Sequence, residues 1–96
     1  MLLYLEGYDD INNFLKSSYK IDLEEDYSDV QELKNKVFGQ MWSDAKAMKL
    51  STMNMYKNKI NLCGNNKKRR LKQYVASFGK ALMRKKEACK VKNEEK

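Results

Sequence analysis

The chain has no histidine, no proline and only two cysteines. Cys63 and Cys89 stand 26 residues apart, so no zinc-finger framework can form, since that needs four soft ligands at short spacing. Both thiols read as reduced, small, core-type side chains, which points to an intracellular, cytoplasmic setting. The absence of proline leaves the backbone free to be helical through most of its length. Glycine is also scarce, at four positions, and none belongs to a phosphate-cradling loop. "DLEEDYSD" lacks the alternating ligands and central glycine of a calcium-binding loop. Without a histidine base or a motif around either cysteine, no catalytic residue, metal or cofactor is expected, and the chain reads as a non-enzyme. No apolar run approaches the roughly 18 residues of a membrane span. "MLLYLEGYDD" offers four apolar residues after Met1 and no basic segment, so neither a signal peptide nor a membrane partner is expected.

What remains is a chain of 96 residues, 42% hydrophobic and 34% charged, with a mean hydropathy of −0.84. That length supports one domain with one modest core. Its parts read as an acidic segment at 1–27, a helical core ending in a basic helix at 28–91, and a frayed tail at 92–96. Charge is unevenly placed. Residues 1–32 hold nine acids against Lys16 and Lys20, a net −7, whereas residues 33–96 carry a net +14. Such a division calls for a polyanionic or acidic partner, or for pairing of the two halves within or between chains, a homodimer included.

Apolar spacing defines a mostly α small bundle of about four helices. Tyr8, Ile11, Phe14 and Leu15 recur at helical intervals behind Asp9 and Asp10, giving a helix at about 9–17. "YKIDL" alternates, as "MLLYL" does, and the two would form a short N-terminal two-stranded element. Ser28 or Asp29 caps the next helix, with Glu32 placed to reach back. Its stripe of Val30, Leu33, Val37, Phe38, Met41, Trp42, Ala45 and Met48 covers 28–48, with a split near 39–43 if Gly39 stops it and Ser43 caps a second piece. Trp42, in that stripe, is expected to be buried. Ser51 opens a helix at 52–62, which Gly64, Asn65 and Asn66 end. Leu71, Tyr74, Val75, Phe78, Leu82 and Cys89 carry the last helix, 66–91.

The functional signal lies in the second half. From Lys57 to Lys92 there are 13 lysines and arginines and one acid, Glu87; a face that only kept the protein soluble would mix signs. At 100° per residue Arg69, Lys80 and Arg84 fall opposite the Leu71/Val75/Phe78/Leu82 stripe, a basic ridge. With Lys67, Lys68, Arg70 and Lys72 they are the expected contacts to nucleic acid, duplex DNA being favoured because Tyr74 and Phe78 fall on or beside the apolar stripe and not among the cations, where a single-strand stacking platform would need them. "KKRRLK" also fits a nuclear import pattern, should the protein act in a eukaryotic cell.

"DAKAMKLSTMNMYKNK", residues 44–59, resembles the core of a helix-turn-helix, with Ala45 in the first helix, Met48 and Leu50 flanking the turn, and Ser51 and Met55 in the second. It departs from the pattern at Lys49, where glycine is usual, and at Asn58, where an apolar residue is. The resemblance implies that Asn54, Lys57, Asn58 and Asn61 share the outward face of the second helix, with Asn54, Lys57 and Asn58 reading bases. The alternative is a small regulator, inhibitor or assembly factor that binds another protein through the acidic segment or a surface of Met41, Met48, Met53 and Met55. The richness in lysine and asparagine fits an AT-rich genome, where small phage or mobile-element accessory proteins are common.

Overall fold

The computed structural model describes residues 7–94, with side chains through Ala88. Helix α1 spans Tyr8–Tyr19. Then α2 (Val30–Lys36), a π-helical turn (Val37–Met41) and α3 (Trp42–Ala47) follow without interruption, so they form one rod. Helix α4 covers Met53–Asn61, a 3₁₀ turn covers Asn65–Lys67, and α5 runs from Lys68 to Glu94. This is a small four-helix bundle, with no strand among the described residues. The 27-residue α5 is its axis. It packs against α1 on one side and α4 on another, and it gives the molecule its 48 × 26 × 21 Å extents.

The core is one cluster. Ile11 and Leu15 of α1, Leu33, Val37, Met41 and Ala45 of the rod, Ile60 of α4, and Leu71, Val75, Phe78 and Leu82 of α5 are all fully buried. The acidic first third is therefore part of the core despite its charge. Gly79 lets α1 and α5 approach: a Cβ there would stand 2.9 Å from Leu15 Cδ2. Phe78 anchors an aromatic group, stacked on Tyr56 at 5.2 Å and tilted against Trp42 at 6.3 Å. Trp42 is only half-buried and stays at the edge of the core, since α4 offers it a cationic cover in place of a sealed pocket.

The rod is not split. Its buried positions Leu33, Val37, Met41 and Ala45 are each four apart, and four residues overshoot one α-helical turn by about 40°. The wider π turn, closed by the Trp42 N–H on the Val37 carbonyl, absorbs the overshoot and keeps the stripe on one face. Gly39 lies inside it in open space, where a Cβ would meet nothing within 4 Å. Ser43 does not cap; its hydroxyl donates back to the Gly39 carbonyl at 3.3 Å. At the rod's start Asp29 caps by accepting from the Gln31 N–H. Glu32 accepts from Ser28, both N–H and hydroxyl. Ser51 stays in the turn, and α4 begins behind Thr52 with no side-chain cap.

The expected two-stranded element is not formed at "YKIDL", and "MLLYL" lies outside the described residues. Tyr19, Ile21 and Leu23 are all buried as their alternation requires. Tyr19, however, closes α1, and the backbone after it bonds to side chains instead of a second strand. The Leu23 N–H donates to Asn12 Oδ1 at 2.9 Å, the Glu24 N–H to Asp22 Oδ1 at 2.9 Å, and the Asp22 N–H to the Tyr27 hydroxyl at 3.4 Å. Helix α5 continues to Glu94, beyond the expected end at 91, and residues 95 and 96 lie outside the described part.

Candidate nucleic-acid interface

Gly64, extended at φ −100° and ψ −176°, turns α4 back along α5. Two polar contacts fix this hairpin to the rod. Asn65 Oδ1 accepts from the Val30 N–H at 2.9 Å, and the buried Lys34 ammonium donates to the Asn61 carbonyl at 3.0 Å, satisfying the C-terminal end of α4. The last turn of α4 and the first turns of α5 thereby enclose a groove of about 650 Å³. Lys59, Lys67, Arg69 and Arg70 line it, and no carboxylate does.

The basic run is divided by the helix. Lys67 and Arg70 face the groove, and Arg69 stands between it and a smaller cavity that it lines with Asp26, Lys68 and Lys72. Lys68 and Lys72 turn the other way and fasten the loop between α1 and the rod, donating to the Ser28 carbonyl at 3.1 Å and the Glu25 carbonyl at 2.8 Å. Those two are thus occupied within the chain. Lys80 and Arg84 continue the line of Arg69 along α5, Arg84 exposed and Lys80 half-exposed. From Arg69 to Arg84 the ridge is about 22 Å long at 1.5 Å per residue.

Acidic side chains do little to neutralise this surface. Among the described residues one side-chain ion pair is formed, Lys86 Nζ to Asp44 Oδ2 at 3.3 Å. Asp44 also accepts from the Tyr19 hydroxyl at 2.6 Å, and Lys86 stands over the rings of Phe14 and Tyr19 at 5.4 and 5.3 Å. The Tyr19 hydrogen bond, then Lys86, hold the Asp44 carboxyl below the usual range. Burial, then the bond to Asp44, push the Tyr19 phenol well up. This cluster clasps the distal half of α5 to α1 and α3, away from the ridge.

On α4, Asn54, Lys57 and Asn58 are all exposed, although the Lys57 ammonium rests 5.3 Å from the Trp42 ring centroid. The turn before α4 has the helix-turn-helix conformation at one point. Lys49 is left-handed, φ 56°, and the Leu50 N–H closes on the Ala45 carbonyl at 3.0 Å. It fails at another, because Met55, which that motif buries, is 44% exposed. Of the other three methionines, Met41 is in the core, and Met48 and Met53 are partly buried and pack against it.

Sequence reasoning missed Lys59, which the hairpin carries to Lys67 and Arg70. A turn as short as 62–64 between two helices was the available signal, since it sets the end of one beside the start of the next. Among the described residues there is no metal-ligating cluster, and no helix is long and apolar enough to cross a membrane. Comparison of the chain with protein families, curated proteins and solved structures finds no match in any of the three.

Proposed function

We propose that this is a non-catalytic nucleic-acid-binding protein that takes duplex DNA along the groove and ridge of α5, acting inside the cell as a small regulator. The observation that carries the reading is the clustering of Lys67, Arg69 and Arg70 at the start of α5 with no carboxylate among the groove's lining residues. Positive charge at a helix N-terminus opposes the helix dipole. These side chains therefore work against the fold locally, and a polyanion is the partner that compensates them. Lys59 adds a fourth cation, and Lys80 and Arg84 extend the track.

Removing Lys67, Arg69 and Arg70 together by alanine substitution is the direct test. Stability should be unchanged or slightly higher, and duplex affinity should fall for all sequences alike, with the salt dependence reduced by about one unit per cation that contacted phosphate. The companion variant Lys68→Ala with Lys72→Ala should leave affinity closer to the parent, because those ammonium groups are engaged with the loop. Equal duplex retention by the parent and the triple variant in a gel shift would overturn the assignment.

A second reading has one observation in its favour. Leu62, at the groove's rim, is 80% exposed and Met55 44% exposed, and such side chains suit an adaptable protein contact. A protein partner recovered by pull-down after nuclease treatment, together with no duplex binding at physiological salt, would favour this reading over the first.

A further inference from the structure

The groove between α4 and α5 holds more than phosphate contact requires. Beside its four cations stand two side-chain amides, Asn66 and Gln73, which both donate and accept, and an apolar wall of Leu62, Cys63 and Tyr74. A backbone track needs the cations alone. Lys59 Nζ lies 5.6 Å from the Tyr74 ring centroid, so one face of that ring is turned to a cation and away from the core. Leu62 is left 80% exposed beside it, a placement that contributes nothing to the buried cluster. The volume of about 650 Å³ is far larger than an inorganic phosphate fills and falls within the range of small-molecule sites.

We propose that this groove is a nucleotide subsite, filled by one nucleoside phosphate whose base is free of its own stack. The phosphate lies among Lys67, Arg69 and Arg70, the base lies on Tyr74 and Leu62, and Asn66 and Gln73 meet its hydrogen-bonding edge. Lys59, released from the Tyr74 ring, follows the anion. The inference rests on the nucleic-acid reading and deepens it: a duplex held along Lys80 and Arg84 would present an unpaired terminal nucleotide to the groove at the start of the same helix. Free nucleotides share this chemistry, so the test must separate the two sources.

Full-length protein is titrated, with amide and tyrosine-ring NMR as the readout, against deoxyadenosine monophosphate, ribose 5-phosphate, a blunt duplex and the same duplex carrying a short single-stranded overhang. The nucleotide should shift Asn66, Arg70 and the Tyr74 ring, and ribose 5-phosphate should leave the ring in place. The overhang should improve duplex affinity roughly tenfold, the size of one base–aromatic stacking contact. Tyr74→Leu should remove that preference and Tyr74→Phe should keep it. Equal affinity for blunt and overhang duplexes, with no movement of the Tyr74 ring, would overturn the subsite while leaving duplex binding intact. Nucleotide binding without any duplex binding would keep the subsite, identify its ligand as free nucleotide, and overturn the duplex reading.

Discussion

Asn12 is buried, and both ends of its amide are used: Nδ2 donates to Asp22 Oδ1 at 3.3 Å and Oδ1 accepts from the Leu23 N–H at 2.9 Å. Asn12→Ala leaves that buried N–H without a partner and should cost about 1–3 kcal/mol, read from the denaturation midpoint. Titratable groups set the pH range of stability. The Glu24 N–H, then Asn12, lower the Asp22 carboxyl, and Asp44 is lowered as described. A lowered carboxyl stabilises the fold above its unfolded value of 3.8 and loses that contribution as pH falls through its folded value. Burial, then the hydrogen bond to Glu24, push the Tyr8 phenol up to about 12, and burial raises Tyr27 as it does Tyr19. A raised phenol stabilises fully below its unfolded value of 10.0 and ceases to as pH rises through its folded value. Stability measured against pH should therefore be flat between about 4 and 10 and fall on both sides, and Asp44→Asn should shrink the acid limb. None of these pairs was legible in the sequence. Tyr19 and Asp44 are 25 residues apart, and no local pattern marks an asparagine as a substitute for a strand partner.

Helices were legible because their apolar positions recur at helical spacing, and the Asp29 cap because acceptor residues precede that recurrence. The π turn was not, since a run of i, i+4 positions looks the same whether the backbone drifts or widens to correct it. Gly39 was a misleading signal for the same reason: glycine marks a stop only where the backbone needs a positive φ. That need falls on Lys49 instead, left-handed at φ 56° in a turn closed by the Lys49 and Leu50 N–H groups on the Lys46 and Ala45 carbonyls. Lys49→Gly relieves the Cβ penalty and should raise stability by about 0.5–1 kcal/mol, visible as a higher melting temperature. A fall would show that the lysine side chain supports the turn in some way the backbone does not reveal. The site was half legible. The cations could be counted, but their division between groove and loop depends on where α5 meets the segment 25–28, which no periodicity encodes.

Charge separation along the chain, plain in the sequence, survives folding with one side-chain ion pair among the described residues. Exposed Glu24, Glu25, Asp26, Asp29 and Glu32 stand on the loop and at the start of the rod, yet α5 reaches that loop through backbone carbonyls. On the proposed reading this charge attracts the duplex, and its pull should weaken as ions screen it beyond a Debye length of about 8 Å at physiological salt. Duplex affinity measured across a range of salt concentrations tests this most directly. For a blunt duplex, six cations, Lys59, Lys67, Arg69, Arg70, Lys80 and Arg84, each on its own phosphate, predict a slope of log affinity against log salt of roughly −5. A slope near zero, or no duplex binding even at low salt, would contradict the account.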